Sequence, residues 1–150
     1  MYKNSPEGNT SEATSLLKPR GIALIICDRI NWDAASDNPE AQNFSCPRNI
    51  TQTLDTWLMD CLPYNVGPIA AYVHIAGTGS TSLSLSLEAP NGEVVVTYHN
   101  VADNWGVLGT YEWVVHIHEF TLNQSGIYHW QLCHGHDVLL ECPMQFILIS

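Results

Sequence analysis

The chain has 150 residues, which is enough for one domain with a sizeable hydrophobic core. Its 45% hydrophobic and 13% charged residues are typical of a globular protein and not of a disordered one. Fifteen Asp and Glu residues outnumber five Lys and Arg residues, so the formal net charge is -10. Because such a surface repels nucleic-acid phosphates and anionic lipid headgroups, we expect neither nucleic acid nor a membrane as partner.

The beginning of the chain is polar and lacks the apolar segment of a secretory signal. This pattern predicts a flexible N-terminal arm over residues 1–18 and a single β-sandwich domain over residues 19–150. The five cysteines are an odd number, and no pair of them has CxxC spacing. We therefore expect reduced thiols and a cytoplasmic location.

A period of two residues dominates the rest of the chain. The stretch TSLSLSLEA (81–89) alternates leucine with serine, which predicts a strand with one apolar face. Asn91-Gly92 follows it and predicts a hairpin with a type I′ turn, leading into a strand over 94–99. Further strands are predicted over residues 21–30, 69–76, 112–120, 126–133, 137–142 and 144–150. The segment 31–67 is the least regular. We expect one strand and long loops there, with a short helix over 51–60 as the alternative.

Many short strands separated by turns predict an all-β fold, an immunoglobulin-like antiparallel β-sandwich of about seven or eight strands. The stretch FTLNQSGIYHW (120–130) resembles the tyrosine corner of such domains, through Gly126, Tyr128 and Trp130. Trp130 stands where antibody domains have a cysteine. The alternation along this strand predicts two sets of side chains, those of Tyr128, Trp130 and Leu132 facing inward and those of Ile127, His129, Gln131 and Cys133 facing outward.

From about residue 21 onward, a second set of short motifs occurs in a recognisable order. They are Cys27-Asp28-Arg29, Pro90-Asn91-Gly92-Glu93, the Gly126 and Tyr128 pair, Gly135 and Pro143. In this order they resemble a family of small bacterial β-sandwich proteins known only as a domain of unknown function. The resemblance implies the fold, and it implies no activity, substrate or catalytic residue.

The stretch QLCHGHD (131–137) gathers potential metal ligands at a predicted hairpin tip. A two-residue turn at His134-Gly135 would pair Cys133 with His136, about 4.5–5.5 Å apart at their Cβ atoms. The same register would pair Cys142 with Ile127. Because zinc requires three or four ligands, this pair alone does not define a metal site.

A second histidine pair offers an alternative. The stretch GTYEWVVHIHEF (109–120) distantly resembles the first cupin motif through His116 and His118, although Glu119 follows His118 too closely and no second motif occurs. The alternative hypothesis is therefore a cupin-like metal-dependent enzyme or a metal-binding protein. Its ligands would be His116 and His118, or Cys133, His134 and His136.

No nucleophile elbow and no phosphate-binding loop occurs in the sequence. The sequence favours a non-catalytic binding module without a cofactor, whose partner is another protein or a second copy of the chain in a homo-oligomer. The predicted binding surface is the outward face of the last hairpin and its tip, from His129 through His136, with the residues His129, Gln131, Cys133, His134 and His136.

Overall fold

The computed structural model describes residues 18–31, 49–50 and 53–149. The predicted arm lies outside them, apart from Lys18, and so does Cys46. The described strands, in chain order, are β1 (Arg20–Cys27), β2 (Ile30–Asn31), β3 (Asn49–Ile50), β4 (Thr56–Met59), β5 (Tyr64–Val66), β6 (Ile69–Ala76), β7 (Thr81–Glu88), β8 (Val94–Ala102), β9 (Thr110–Ile117), β10 (Phe120–Leu122), β11 (Gly126–His134) and β12 (Asp137–Leu148). The described part of the chain contains no helix that could cross a membrane.

Two main sheets form the sandwich. The larger has five strands in the order β4-β12-β11-β7-β8, and the smaller has three in the order β1-β6-β9. In chain order and position, β7, β8, β11 and β12 correspond to strands C, C′, F and G of a variable-type immunoglobulin domain, and β1, β6 and β9 correspond to strands A, B and E. The fold is an all-β, immunoglobulin-like sandwich, and the two main sheets together hold the predicted number of strands.

The core between the sheets follows from the alternation seen in the sequence. Leu83, Leu85 and Leu87 on β7 are fully buried. They belong to one hydrophobic cluster with Val73 and Ile75 of β6, which come from the opposite sheet. The apolar face of β7 therefore points into the sandwich, and its serines point away from the core.

The hairpin between β7 and β8 is confirmed, but its turn differs from the predicted type I′ turn. The amide of Gly92 donates to the carbonyl of Ala89 at 2.9 Å, and the amide of Ala89 donates to the carbonyl of Glu93 at 2.8 Å. Gly92 has a φ of 90°, whereas Asn91 has no positive φ. This is a type I turn followed by a glycine bulge, in which Pro90 supplies the fixed φ of the first central position.

The tyrosine corner is confirmed. The side chain of Tyr128 is buried, and its hydroxyl donates a 2.6 Å hydrogen bond to the carbonyl oxygen of Gln124, four residues upstream. The inward and outward sets of β11 are also as predicted, with Trp130 and Leu132 fully buried and Ile127 exposed. The corner thus fixes the start of β11 and, with it, which side chains face solvent.

Tyr128→Phe is expected to lower the free energy of unfolding by about 1–2 kcal/mol, because the Gln124 carbonyl loses its donor inside the protein. Urea unfolding followed by tryptophan fluorescence measures the change. Tyr98→Phe is the matched control, because Tyr98 is only half-buried and its hydroxyl makes no hydrogen bond comparable to that of Tyr128 within the described part of the chain. Equal losses in the two variants would contradict a special role for the corner.

In the rest of the larger sheet, one expectation is wrong and one alternative is not adopted. The strands predicted over 137–142 and 144–150 are one strand, β12, which continues through Pro143. Proline is tolerated there because β4 pairs with β12 only from Gln145 onward, so Pro143 has a neighbouring strand on one side only. In its described part, residues 53–60, the alternative helix is not adopted, and this part instead contains β4, a short strand that runs parallel to β12.

Candidate functional site

The hairpin that carries the predicted binding residues has a different register from the one expected. β11 pairs with β12 through His134 opposite Asp137 and Cys133 opposite Val138, so Gly135 and His136 form the turn. Gly135 has a φ of 61° and His136 has no positive φ, which is the pattern of a type II′ turn. The expected pairing of Cys133 with His136 is therefore wrong.

The register also shifts further along the same hairpin. A bulge between Leu132 and Cys133 changes the pairing, so that Trp130 lies opposite Cys142. The expected partner of Cys142, Ile127, instead pairs with Gln145. No described cysteine is in a disulfide, and Cys27, Cys61, Cys133 and Cys142 are free thiols.

The residues of the alternative metal hypothesis are not brought together. His136 is exposed in the turn, whereas Nδ1 of His134 lies 2.9 Å from the carbonyl oxygen of Ser82 on β7. His116 is exposed on β9, in the other sheet, and His118 follows the end of that strand. Within the residues that the structure describes, no three His, Cys, Asp or Glu side chains are arranged to hold a metal ion.

Three of the predicted binding residues do share one surface. We call it the outer face, meaning the solvent side of the five-stranded sheet at β7, β11 and β12. Its central side chains are His129, Gln131, Cys133, Ser84, Ser86, Glu88 and Glu141. His134 and His136 lie at the end of this face and are not part of its central row.

Glu141 links the predicted residues on the outer face. The amide nitrogen of the Gln131 side chain donates to Oε2 of Glu141 at 2.9 Å. Nδ1 of His129 lies 3.4 Å from Oε1 of the same carboxylate. One carboxylate on β12 therefore contacts two neighbouring side chains of β11, Gln131 through a short hydrogen bond and His129 through a longer contact.

The β7 side of the outer face is flat. Ser86 pairs with Gln131 and Ser84 pairs with Cys133 in the ladder between β7 and β11. The hydroxyl of Ser86 also lies 3.1 Å from that of Thr97 on β8. Because serine side chains are short, a partner surface can approach the sheet closely along this row. Two exposed aliphatic side chains stand nearby, Ile127 at 53% and Val138 at 52% of their accessible area.

The thiols on and near this face are kept in their neutral form. Burial, together with the negative charges of Glu141 and Glu88, raises the pKa of Cys133. Burial, together with the charge of Asp55, raises the pKa of Cys142, although a backbone hydrogen bond at Ile26 acts in the opposite direction. A protonated thiol is a weak nucleophile and a weak metal ligand, so neither chemistry is favoured here.

The exposed thiol of Cys61 is likewise kept in its neutral form. A hydrogen bond to the Asp60 carboxylate, and then the charge of that carboxylate, raise the pKa of Cys61. Cys27 is buried, and burial followed by the charge of Asp28 raises its pKa to about 11, against the opposing effect of a backbone hydrogen bond at Arg29.

Sequence reasoning missed the acidic members of the outer face, Glu88 and Glu141. Glu88 lies opposite His129 across the ladder between β11 and β7, and Glu141 lies opposite Gln131 on β12. The alternation of β7 already placed its polar residues on one face. The correct hairpin register would have placed Glu141 beside Gln131, but the bulge that sets this register has no signature in the sequence.

The aromatic side chains of Trp57, Tyr64 and Trp105 pack against or within the hydrophobic core. The indole nitrogen of Trp105 donates to the carbonyl oxygen of Gly79 at 2.6 Å, and the Trp105 ring is buried. The indole nitrogen of Trp57 donates to the hydroxyl of Tyr64 at 3.3 Å, and the rings of Trp57 and Tyr64 pack against the main hydrophobic cluster. These rings therefore support the edges of the sandwich.

No protein-family model matches the chain, and no curated protein matches it. The crystal structure of an immunoglobulin-like protein from Pseudomonas aeruginosa is similar, with 15% sequence identity and a TM-score of 0.43, over 88% of this chain and 98% of that one. The resemblance to a bacterial family of unknown function stays a prediction, of which only the implied sandwich fold is confirmed.

Proposed function

We propose that this protein is a non-catalytic binding module that docks another protein on its outer face. The observation that carries the proposal is the Glu141 carboxylate, which holds Gln131 and His129 in place beside the flat serine row of β7. A partner that binds there meets side chains that are already ordered. Little conformational entropy is then lost on binding, and this is the main advantage of a preorganised surface.

The chemistry of the outer face indicates the kind of partner. It presents hydrogen-bonding groups in its centre and exposed aliphatic side chains at its margins, Ile127 and Val138 among them. Glu88 and Glu141 give it a negative charge, in keeping with the net charge of the whole chain. A complementary partner would present Lys or Arg side chains to these carboxylates, which would favour fast and selective association.

The proposal includes a cytoplasmic location for the complex. Four free thiols support it, and one of them, Cys133, lies on the outer face itself. A reducing compartment would keep this thiol from forming mixed disulfides on the binding surface.

Site-specific crosslinking followed by a binding measurement tests this function. A photoreactive residue at position 131 should capture one protein in cells, whereas the same residue at position 116, on the other sheet, should not. The captured protein is then purified, and its Kd is measured by calorimetry. Glu141→Lys should weaken binding at least about tenfold, because it reverses a central charge and releases Gln131 and His129.

His116→Ala is the matched control, because His116 is an exposed histidine on β9 and its loss leaves the outer face intact. It should bind the purified partner with wild-type affinity. An unchanged Kd for Glu141→Lys, or a Kd that rises with His116→Ala instead, would show that the outer face is not the binding surface.

A further inference from the structure

The open side of the sandwich between β8 and β9 is spanned by side chains alone. β8 is the last strand of the larger sheet and β9 is the last strand of the smaller one, and the two do not pair with each other. They run in opposite directions, because the short segment 103–109 joins the end of β8 to the start of β9. We call this side the β8–β9 margin, with the side chains of Tyr98 and Asn100 on β8 and of Tyr111 and Trp113 on β9.

Aromatic side chains from both strands line the β8–β9 margin. Tyr98 lies opposite Leu85 in the ladder with β7, and Trp113 lies opposite Val73 in the ladder with β6. Since Leu85 and Val73 are fully buried between the sheets, the rings of Tyr98 and Trp113 also point inward from their strands. Both rings pack against the core cluster, but they are only half-buried and so present part of their surface to solvent.

The β8–β9 margin is bounded at both ends. At one end, the amide nitrogen of the Asn100 side chain donates to the hydroxyl of Tyr111 at 2.9 Å and so joins the two strands. The ring of Trp105 stands beside this bond, with its centroid 6.0 Å from that of Tyr111. At the other end, β10 follows β9 after two residues and lies against β8. Tyr98 and Trp113 therefore stand between two fixed boundaries.

Three polar groups at the margin can donate hydrogen bonds to a ligand. Within the described residues, neither the hydroxyl of Tyr98 nor the indole nitrogen of Trp113 has a hydrogen-bond partner. Among the described side chains, only Trp130 has a polar atom that is both buried and unpaired, so these two groups are open to solvent. The hydroxyl of Tyr111 accepts its bond from Asn100, which leaves its own hydrogen available.

The two strands bring no ionised side chain into the margin, although the chain has a net charge of -10. β8 has no Asp, Glu, Lys or Arg residue, and β9 has only Glu112. Glu112 lies opposite His74 and accepts a 2.8 Å hydrogen bond from the hydroxyl of Tyr72, on the side of the smaller sheet that faces away from the core. From β8 and β9, a ligand in the margin therefore meets aromatic rings, hydroxyls and an amide.

We propose that the β8–β9 margin binds a neutral saccharide. A sugar ring has a flat face of C–H groups that packs on an aromatic ring, and hydroxyl oxygens at its edge that accept hydrogen bonds. Tyr98 and Trp113 meet both requirements, because each has a half-buried ring with a free donor. The charge of the chain disfavours an anionic ligand, and a wholly apolar ligand would leave the covered donors unpaired.

This site does not rest on the proposed function. The outer face is the solvent side of the larger sheet, whereas Tyr98 points from the same sheet toward the core. A protein on the outer face and a saccharide at the margin can therefore bind at the same time. Because Glu141 tests the first site and Tyr98 and Trp113 test the second, either one can fail without the other.

Titration with neutral saccharides, followed by the indole N–H resonances in NMR spectra, tests the proposal. The probes are mono- and disaccharides of glucose, galactose, mannose and N-acetylglucosamine, each up to about 50 mM. At least one should shift the Trp113 resonance saturably, with a Kd on the order of millimolar, because the site is shallow and uses few groups. The resonance of Trp57 should not move, since its indole nitrogen already donates to Tyr64.

Conservative variants identify the groups that bind, with the Kd taken from backbone resonances of β8 and β9. Trp113→Phe and Tyr98→Phe each keep a ring and remove one donor, and each should raise the Kd at least about threefold. Tyr98→Ala removes the ring as well and should raise it at least about tenfold. Trp57→Phe is the matched control, because it removes a half-buried indole on β4 and should leave the Kd unchanged.

Three results would overturn the proposal. The first is a Trp113 resonance that no probe shifts saturably. The second is wild-type affinity in both Trp113→Phe and Tyr98→Phe. The third is a loss of affinity in Trp57→Phe as large as that in Trp113→Phe, which would show that the saccharide does not bind at the β8–β9 margin.

Discussion

Replacing Trp130 by alanine is expected to lower the free energy of unfolding by about 3–5 kcal/mol, the largest loss anticipated for any single substitution in this chain. Trp130 lies at the centre of β11 with 0% of its surface exposed. Its ring meets that of Phe120 edge to face, with a centroid separation of 6.0 Å and an interplanar angle of 88°. The alanine variant loses these contacts and leaves a cavity that both sheets must partly close.

Urea unfolding at equilibrium measures this loss. Ile127→Ala is the control on the same strand, because Ile127 is an outward-facing residue and its loss should change stability by no more than about 0.5 kcal/mol. A Trp130→Ala variant as stable as Ile127→Ala would contradict the placement of Trp130 in the core.

The substitution Trp130→Phe distinguishes the contribution of ring packing to stability from the cost of burying the indole nitrogen. The indole nitrogen of Trp130 is buried and has no hydrogen-bond partner among the described residues. Phenylalanine removes this unsatisfied donor, which should offset part of the lost packing. The phenylalanine variant should therefore lose much less stability than the alanine variant in the same urea experiment.

Gly126→Ala is expected to be the second most damaging change, at about 2–4 kcal/mol. Gly126 opens β11 with a φ of 134°, a conformation that side chains rarely allow. A Cβ atom there would lie 2.8 Å from Cγ of Pro90, in the turn between β7 and β8. The variant must therefore both accept backbone strain and push two turns apart.

Gly92→Ala provides the matched comparison. Gly92 also has a positive φ, but a Cβ atom there would have no neighbour within 4 Å among the described residues. Its alanine variant should show the backbone strain alone and lose about 1–2 kcal/mol in urea unfolding. If the two glycine variants were equally destabilised, the contact between Gly126 and Pro90 would be energetically unimportant.

The features that sequence predicted well are those encoded by neighbouring residues. Alternation of Leu and Ser along β7 assigned its buried face, and the Gly126, Tyr128 and Trp130 pattern located the tyrosine corner and the start of β11. Both signals act within one strand and one bend, where side-chain direction follows directly from a period of two.

The sequence did not predict the features that depend on a shift of the hairpin turn by one residue or on pairing between strands far apart in the chain. Either His134-Gly135 or Gly135-His136 would place a glycine in the turn, and the structure adopts the second because a bulge near Leu132 shifts the ladder. A strand was expected within 31–67, but β4 was not located there because four residues carry too little periodicity, and its parallel pairing with β12 is a tertiary contact. As a result, the acidic part of the outer face at Glu141 was not predicted.

The parallel pairing of β4 with β12 affects the order in which the strands pair during synthesis. Thr56 lies opposite Gln145 and Met59 opposite Leu148, and the amide of Ile149 donates to the carbonyl of Met59. During synthesis, β4 emerges long before β12, the strand with which it pairs, and it can pair only after β12 has left the ribosome. Closing so long a loop is slow, so the sandwich completes one margin of its larger sheet last, after most of its core has formed.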